Sequence, residues 1–523
     1  MGGVHTDDPV VVAGSGIAGM SLALRVARRR PVVLLTKGPL VSGSTALAQG
    51  GIAAAVGPGD SPEQHARDTI AAGAGLCDPD VVRWACKRAP ARLRDLRRAG
   101  VAFDLAADGS PHLAREAAHG RARVAHAGGD ATGARISEAL AARVRCSPAI
   151  EVREGWRAVD AILEAGVVRG VRAIDAVGRE HRVGGAALAL ATGGLGAAFS
   201  RTTNPEGATG DGMALAWRAG AQLVDLELIQ FHPTALAADP AATGRLPLIS
   251  EALRGAGAVL RDERGRRFMA DRHERAELAP RDVVARAIAE VAADGAVTLE
   301  LPGIDPAEAA ARFPSAAAAC AAHGITLGRD PVPVAPAAHF SMGGVLTDIA
   351  GRTGVPGLFA IGECASTGMH GANRLASNAM LEGAVMAAEC ARALDAPAVA
   401  GTGRPGPTRL APPAAAGGGD GTARVRDVMS EAMGLVRDGD ELARAAARLE
   451  TIVPSSLDLD GRNLADLARL AVAAARLREE SRGAHHRRDR ATTDPDWERR
   501  LAWLGDEPRL VAVSTTTPVR SAA

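Results

Sequence analysis

Tyrosine is absent from this sequence of 523 residues, and lysine occurs only at positions 37 and 87. Because no phenol is present, tyrosine cannot serve as the acid, base or oxyanion donor of a reaction. A proton donor with a high pKa must therefore be arginine, lysine, cysteine or water. Cysteine is also sparse, with six scattered residues and no C-x-x-C pair. We therefore expect no disulfide framework, no zinc or iron–sulfur site and no metal.

Long apolar runs and an excess of charge of one sign are missing as well. No apolar run has the length of about 20 residues that a membrane-spanning helix needs. The opening residues, MGGVHTDDPVVVAGSG, lack the basic segment and cleavage site of a signal peptide. The 61 basic and 60 acidic side chains leave a formal charge of +1, which argues against binding to a polyanion. We expect a soluble, cytoplasmic protein that binds neither nucleic acid nor membrane.

The sequence does contain enough apolar residues for packed cores. Hydrophobic residues make up 47% of the chain, which excludes disorder for most of it, and the length predicts two or three domains. A stretch rich in Pro, Gly and Ala at 399–421 has the composition of a linker. Beyond it, 423–450 and 463–479 have helical spacing and indicate a small helical domain, and we expect a frayed tail after Leu504.

The clearest motif lies at the start of the chain. Apolar residues at 10–13 precede Gly14-Ser15-Gly16-Ile17-Ala18-Gly19, a stretch with helical spacing follows, and a second apolar run at 32–35 ends at Thr36-Lys37. This order of strand, tight turn, helix and strand opens a dinucleotide-binding fold, in which the glycines let the backbone approach a pyrophosphate. The alternative is a purely structural glycine turn.

The residues alone leave the identity of the dinucleotide open. The acidic residue that usually binds the adenosine ribose is missing, and Lys37 at the end of the second strand suits the 2′-phosphate of NADP. The loop of small residues at 42–53 instead favours close approach to a flat, polar ring system. A flexible surface loop is the alternative for that segment.

Eight motifs in a fixed order make the sequence similar to the fumarate reductase and succinate dehydrogenase flavoprotein family, and within it to an aspartate-oxidising branch. The resemblance covers roughly residues 8–495. The motifs are GSGIAG (14–19), STALAQGGIAA (44–54), TNPEGATGDGMALAWRAGA (203–221), QFHPT (230–234), SEALRGAG (250–257), LAPRDVVARAI (278–288), HFSMGGV (339–345) and GECASTGMHGANRLASN (362–378).

The resemblance implies an α/β fold with three parts. A Rossmann-like FAD-binding domain is expected from residues 1–229 and 341–398 together. An α+β capping domain would be inserted at 230–340, where it would close over the flavin and exclude water. The linker at 399–421 would then lead to a C-terminal helical domain and tail at 422–523.

The resemblance also implies FAD as the cofactor. The segment 42–47 contains no histidine, whereas respiratory members bond the flavin covalently through a histidine there. Non-covalent FAD with a lowered potential is therefore expected, which disfavours succinate oxidation. The expected FAD contacts are Gly14, Ser15, Gly16, Ile17, Gly19, Lys37, Ser44, Thr45, Ala46, Gln49, Gly50, Gly51, Asp211, Glu363, Ala379 and Met380.

A dicarboxylate substrate needs several cationic or hydroxyl donors in one pocket, and the motifs supply them. Arg374 suits bidentate pairing with a carboxylate, and His232 and His339 can donate to the other carboxylate. Outside such motifs each histidine would more often be a structural residue. The resemblance adds Ser250, where the aspartate-oxidising branch commonly has Thr, together with Glu251, Arg254 and Ser377.

Two residues carry the expected chemistry. Arg281 resembles the arginine that shuttles a proton during fumarate reduction, a role that needs an environment lowering its proton affinity. The alternative is that Arg281 only begins a helix and pairs with Asp282. Glu116 resembles the glutamate placed near the substrate amino group, although Ala117-Ala118 follows it in place of the usual Gly-Gly.

The expected activity is oxidation of L-aspartate to iminoaspartate, with FAD reoxidised by O₂, giving H₂O₂, or by fumarate, giving succinate. This reaction opens the route to quinolinate and NAD, which makes quinolinate synthase an expected partner. Two alternatives stay open. One is a soluble flavoprotein subunit of fumarate reductase or succinate dehydrogenase, and the other is a flavin-binding protein without activity.

Overall fold

A computed structural model describes residues 8–395, 420–453 and 456–514. Its α-helices within these residues are α1 (Ile17–Val26), α2 (Ser44–Leu47), α3 (Pro62–Ala72), α4 (Pro79–Ala99), α5 (Thr132–Arg145), α6 (Asp211–Arg218), α7 (Glu251–Gly255), α8 (Arg281–Val291), α9 (Pro306–Arg312), α10 (Pro314–Ala321), α11 (Asn378–Ala393), α12 (Gly421–Ala432), α13 (Gly439–Glu450) and α14 (Leu459–Leu477).

The strands are short, and many of them pair with strands that are distant in the sequence. They are β1 (Val10–Ala13), β2 (Val32–Thr36), β3 (Ile52–Ala53), β4 (Leu113–Ala114), β5 (Val124–Ala125), β6 (Ile150–Glu154), β7 (Arg157–Glu164), β8 (Val167–Ile174), β9 (Glu180–Gly184), β10 (Ala187–Leu190), β11 (Arg201–Thr202), β12 (Leu223–Val224), β13 (Ile229–Leu236), β14 (Gly244–Arg245), β15 (Val259–Arg261), β16 (Thr298–Glu300), β17 (Val332–Ser341), β18 (Gly344–Leu346), β19 (Leu358–Ala360), β20 (Ala365–Ser366), β21 (Arg500–Leu504) and β22 (Glu507–Val511).

A five-stranded parallel sheet in the order β19-β10-β1-β2-β6 forms the centre of the molecule. All residues of β1, β2, β10 and β19 are buried, as expected for parallel strands covered on both faces. Val10 pairs with both Val32 and Ala187, so the first strand lies between its sequence neighbour and a strand far downstream. The predicted opening unit of strand, helix and strand is confirmed.

The chain from the end of β13 to the start of β17 forms a second hydrophobic core. These two strands pair antiparallel within a six-stranded sheet, and apolar residues from Leu236 to Val334 form a cluster separate from the main core. The helices α8, α9 and α10 belong to this part. The α/β class with an inserted α+β unit is confirmed, while the boundaries at 230 and 340 stay a prediction.

The C-terminal part contains the predicted helices and also strands that were not predicted. Helices α12, α13 and α14 pack against one another. The expectation of a frayed tail after Leu504 is wrong for the described residues up to 514, because β22 pairs antiparallel with β21, and β21 pairs with β12 of the main body. Its residues, Glu507–Val511, are mostly exposed and lack the apolar alternation that would indicate a strand. Residues 399–419 of the predicted linker and 515–523 of the predicted tail lie outside the described residues.

The parallel sheet positions the site. A cavity of about 520 Å³ lies at the carboxyl end of β1 and is lined by the turn into α1, by 42–45 and 47–51 and by residues of the inserted part. Ligands of parallel α/β sheets bind at such carboxyl ends. Within the described ranges no helix is long and apolar enough to cross a membrane, and no cluster of metal-ligating side chains occurs.

Candidate active site

The glycine turn at one end of the cavity is built for close backbone approach. Gly14 has φ +110, and a Cβ there would overlap the carbonyl oxygen of Ala191. A Cβ at Gly19 would overlap the carbonyl oxygen of Gly14, so Gly19 permits helix–strand contact and does not itself line the cavity. The backbone N–H of Ile17 donates to Thr45 Oγ1 at 3.0 Å, which joins this turn to the loop at 42–53.

Lys37 is held in an ion cluster at the cavity wall. Its ammonium donates to Thr209 Oγ1 at 2.9 Å, to Asp211 at 3.1 Å and to Asp460 of α14 at 2.7 Å. Burial alone would raise the pKa of Asp211, but Lys37 and hydrogen bonds from Asn463 and Thr209 hold it below the ordinary value. Because the three ammonium hydrogens already have acceptors, Lys37 is poorly placed to bind an additional phosphate.

Glu363 follows β19, is half-buried and lines the cavity. Its Oε1 accepts the backbone N–H of Ser341 at 3.1 Å. Burial raises the pKa of Glu363 to about 7, although that hydrogen bond and the positive charge of Arg374 oppose the shift. A carboxyl group that changes protonation near neutral pH can pair with the hydroxyls of a ribose or ribityl chain in either state.

The loop at 42–53 supplies small residues and an amide to the cavity wall. A Cβ at Gly51 would overlap the carbonyl oxygen of Ala125, so only glycine allows this path of the chain. Gln49 Oε1 is buried and, among the residues that the structure describes, has no hydrogen-bond partner. The predicted FAD contacts that line this cavity are Gly14, Ser15, Gly16, Ile17, Lys37, Ser44, Thr45, Gln49, Gly50, Gly51, Asp211, Glu363, Ala379 and Met380, whereas Ala46 does not line it.

Arg281 begins α8 and points to Glu251 at the start of α7. Its Nε donates to Glu251 Oε2, and its Nη1 donates to Gln230 Oε1 at 3.2 Å. Burial would raise the pKa of Glu251, but Arg281 and Arg254 hold it below the ordinary value. The alternative partner for Arg281, Asp282, instead accepts from Arg286 and Asn373.

Arg254 lies behind this pair. Its Nη1 donates to the carbonyl oxygen of Glu277 at 2.6 Å and its Nη2 lies 3.5 Å from Glu251 Oε1. Burial, and then repulsion from Arg281, lowers the pKa of Arg254. Arg254 does not line the cavity, so its link to a substrate would run through Glu251. Ser250, the residue before Glu251, lines the cavity and caps α7 by accepting the N–H of Ala252.

Two histidines line the cavity near these arginines. The rings of His232 and His339 stand edge to face with centroids 5.0 Å apart. Burial and then the charge of Arg281 lower the pKa of both well below the ordinary value, so both rings are neutral. His232 Nδ1 accepts the backbone N–H of Thr234 at 3.2 Å, which assigns the ring hydrogen to Nε2. Within the described ranges that Nε2 has no acceptor, so it can donate to a ligand.

Arg374 is a buried cation with unused hydrogen-bonding capacity. Its guanidinium lies 4.5 Å from the ring centroid of Phe340, and its Nε has no acceptor in the described part of the chain. Burial and then repulsion from Arg281 lower the pKa of Arg374 to about 9. Gln230 fixes the segment by donating from Nε2 to the carbonyl oxygen of Arg374 at 2.8 Å and to Asn373 Oδ1 at 2.8 Å.

Glu116 adds a carboxylate to this cationic end of the cavity. Its Oε2 accepts the hydroxyl hydrogen of Ser377 at 2.6 Å. Its Oε1 is buried and has no hydrogen-bond partner among the described residues. Ala118, two residues on, has φ 63, which is the left-handed conformation that glycine would adopt with less strain. The site therefore offers one free carboxylate oxygen and several cationic or neutral donors around one space.

Sequence reasoning did not single out several residues that hold this arrangement. Gln230 and Phe340 lie within the quoted motifs, and their position in those motifs was a usable signal. Thr203, which is hydrogen-bonded to His339 Nδ1 at 2.7 Å, also lies in a quoted motif. His126, whose Nε2 lies 3.8 Å from Glu116 Oε1, was not singled out either.

Comparisons with known proteins agree with this geometry. A family model described as an FAD binding domain matches residues 9–380, and one described as the fumarate reductase flavoprotein C-term matches residues 458–520. An L-aspartate oxidase of Streptomyces coelicolor is 46% identical, with 97% of this chain and 93% of that protein covered. An L-aspartate oxidase of Caulobacter vibrioides is 47% identical, with 96% and 97% covered.

A solved structure of a quinol–fumarate reductase with menaquinol molecules has a TM-score of 0.87 to this chain at 27% identity, covering 98% of this chain and 99% of that one. The matched FAD binding domain contains the glycine turn, the loop at 42–53 and Glu363, so FAD is the cofactor that the cavity takes. The chain belongs to the fumarate reductase and succinate dehydrogenase flavoprotein family and, within it, to the L-aspartate oxidases.

Proposed function

We propose that this protein oxidises L-aspartate to iminoaspartate with non-covalently bound FAD. The observation that carries the proposal is the free Oε1 of Glu116 at the end of the cavity that Arg281 and Arg374 also line. Two carboxylates need cationic donors, and an ammonium group needs an anionic acceptor. Among dicarboxylates, one with an α-amino group matches both requirements, whereas succinate and fumarate leave Glu116 without a partner.

In this proposal Arg374 pairs with one substrate carboxylate through two N–H groups, which fixes orientation as well as charge. His232 Nε2–H and His339 donate to the substrate from neutral rings. Neutral donors suit this place, because further cations beside Arg281 and Arg374 would add repulsion within a buried space. The inserted part supplies His232, Ser250 and Arg281, so closure of that part over the cavity would bring these groups to the substrate together.

FAD, when bound, accepts the hydride that leaves Cα of the substrate. The residues of the chain orient that Cα–H bond and hold the protons. Glu116 binds the substrate ammonium and, by its negative charge, stabilises the iminium product. In the opposite direction, with fumarate, Arg281 is the group that delivers a proton to carbon, and Glu251 with Arg254 behind it can resupply that proton.

O₂ and fumarate are the proposed electron acceptors, giving H₂O₂ and succinate. Because iminoaspartate hydrolyses in water, quinolinate synthase is the proposed recipient, and the reaction would open NAD biosynthesis. Non-covalent FAD follows from the absence of histidine at 42–47. Extraction of the flavin by acid precipitation, with all the yellow colour in the supernatant, tests that point directly.

The first experiment is an aerobic peroxide assay on the FAD-loaded protein with L-aspartate, using D-aspartate and succinate as controls. Peroxide from L-aspartate alone is expected. Turnover of succinate without L-aspartate would overturn the proposal and assign the protein to the respiratory branch. The matched variant is Glu116→Gln, which should lose most activity on L-aspartate and keep fumarate reduction by a reduced viologen dye.

A second candidate is a soluble flavoprotein subunit of fumarate reductase or succinate dehydrogenase. The close overall similarity to the solved quinol–fumarate reductase favours it. The unpaired Oε1 of Glu116 does not, since a buried carboxylate oxygen without a hydrogen-bond donor is costly and neither fumarate nor succinate would donate to it. The comparison of wild type and Glu116→Gln separates the two candidates, because only an amine substrate makes Glu116 necessary.

A further inference from the structure

His126 and Glu116 face each other inside the protein, although no hydrogen bond joins them. His126 Nε2 lies 3.8 Å from Glu116 Oε1, a distance beyond the usual limit for an N···O hydrogen bond. Both side chains are buried, with 9% and 1% of their surface exposed. Neither of these two atoms has a hydrogen-bond partner among the described residues.

Two buried polar atoms without partners carry a free-energy cost that a folded protein normally avoids. The pair also reaches the cavity, because Glu116 lines it. His126 follows β5 and lies behind Glu116, outside the cavity lining. A side-chain rotation that moves Glu116 Oε1 by less than about 1 Å would bring it into hydrogen-bonding range of His126 Nε2. Catalytic hydrogen bonds are often long in the absence of substrate.

Other ionisable groups surround this pair. Asp130 lies within electrostatic range of the His126 imidazole. Arg254 and Arg374 lie within electrostatic range of the Glu116 carboxylate. His119 is also close to the carboxylate, but burial lowers its pKa, so it remains neutral.

A substrate ammonium cannot give up a hydride from Cα until one of its N–H protons has left, because the nitrogen lone pair forms the new C=N bond. Some group at the site must take that proton. Glu116 is in reach of the ammonium, but a Glu116 that kept the proton would be neutral and would no longer stabilise the cationic iminium product. A second acceptor behind Glu116 removes this conflict.

We propose that His126, acting through Glu116, is the final acceptor of the proton that the substrate ammonium loses; this rests on the proposed function. The ammonium N–H bond breaks as an O–H bond forms on Glu116, and that O–H bond breaks as an N–H bond forms on His126 Nε2. Both steps are proton transfers, and neither changes an oxidation state. The positive charge moves from the substrate to the imidazole, and Glu116 is again an anion when the hydride leaves.

The test uses the FAD-loaded full chain with the substitution His126→Gln, whose amide can hold Glu116 in place but cannot accept a proton. Under anaerobic conditions the rate of flavin bleaching by L-aspartate is expected to fall about 100-fold, while the concentration of L-aspartate for half-maximal rate changes less than about threefold. Fumarate reduction by a reduced viologen dye involves no amino group and should stay within about twofold of wild type. His181→Gln, on β9 away from the cavity, is the control and should match wild type in both assays.

A full rate of flavin bleaching in His126→Gln would overturn the inference, as would an equal loss of fumarate reduction. Failure of the wild type itself to bleach with L-aspartate would instead overturn the proposed function. Where His126→Gln does not retain FAD, His126→Asn takes its place, with the same expected loss. A double-mutant cycle adds a check, because the effect of the His126 substitution should disappear in a Glu116→Gln background when His126 acts through Glu116.

Discussion

The Ser377 hydroxyl donates a hydrogen bond at 2.6 Å to Glu116 Oε2, and these residues lie 261 positions apart in the chain. Ser377 has φ 61 and immediately precedes α11, while Glu116 follows β4. The bond leaves Glu116 Oε1 as the oxygen that can face a ligand or His126. Ser377 thus determines which half of the carboxylate is available to an ammonium group.

The substitution Ser377→Ala should therefore weaken the binding of L-aspartate more than the binding of fumarate. Loss of a hydrogen bond to a charged group is worth about 1.5–3 kcal/mol, so we expect the KM for L-aspartate to rise at least about tenfold. The KM for fumarate should change less than about threefold. Steady-state assays with both substrates on the same preparation measure this.

Ser377→Gly is the matched variant, since it removes the same hydroxyl but suits the left-handed backbone. It should lose L-aspartate affinity as Ser377→Ala does, and it should be the more stable of the two by up to about 1 kcal/mol. An equal loss of fumarate affinity in both variants would show that Ser377 touches the substrate carboxylates directly.

Ala118 is a second position where the backbone prefers glycine. It has φ 63, and its N–H donates to the carbonyl oxygen of Leu278 at 3.4 Å. We expect Ala118→Gly to raise the free energy of unfolding by about 0.5–1 kcal/mol, because relief of the strain exceeds the extra entropy of glycine in the unfolded chain. Chemical denaturation of the FAD-loaded protein measures the change.

Ala117→Gly is the control for that prediction. Ala117 is buried and has an ordinary negative φ, so glycine there should lower the free energy of unfolding by about 1 kcal/mol. The same sign of change at both positions would contradict the explanation by backbone strain.

The parts of this fold that could be predicted from the sequence are those with local signals. The run Val10–Ala13 and the glycines after it predict a buried strand and a turn within about ten residues of chain. β22 (Glu507–Val511) could not be predicted, because it forms only by pairing with β21 and its side chains are mostly exposed. A strand of that kind is set by its neighbour and not by its own pattern.

The site shows the same division. The residue types of Arg281, Arg374 and Glu116 and the motifs around them indicated their presence in the cavity. Sequence spacing could not show that Arg254 lies behind Glu251 instead of lining the cavity, or that Gln230 joins Arg281 to the backbone of Arg374. Those relationships arise where α7, α8, β13 and the segment before α11 meet, and no local pattern encodes them.

FAD binding should depend on pH through Glu363. Burial raises the pKa of Glu363 to about 7, so below pH 7 the carboxyl in the FAD-free protein is mostly protonated. An FAD hydroxyl that donates to Glu363 favours the carboxylate, and binding then releases a proton. The affinity for FAD should rise with pH, by up to about tenfold per unit, and level off above about pH 7.

Fluorescence titration of the FAD-free protein between about pH 5.5 and 8.5 measures that dependence, and calorimetry in two buffers counts the released proton. Glu363→Gln should bind FAD more weakly and with a nearly flat pH dependence. A slope that survives in Glu363→Gln would assign the proton to another group.

Carboxylate binding should weaken at high pH because Arg374 loses its proton. Burial and then repulsion from Arg281 lower the pKa of Arg374 to about 9, so above pH 9 the FAD-loaded protein loses the charge that pairs with a carboxylate. The affinity for fumarate should be constant below about pH 8.5 and fall by up to about tenfold per unit above pH 9. Fumarate is the right probe because it has no amino group that titrates in this range, and the change in flavin absorbance on binding reports its affinity.

The substitution Arg374→Gln provides the comparison. It should weaken fumarate binding about 100-fold at pH 7.5, because a bidentate charged pair in a buried site is lost, and it should remove the break near pH 9. Return of the wild type to pH 7.5 with full affinity shows that the fall is titration and not denaturation. A constant wild-type affinity up to about pH 10 would mean that Arg374 keeps its proton, and the repulsion from Arg281 would then be smaller than the structure indicates.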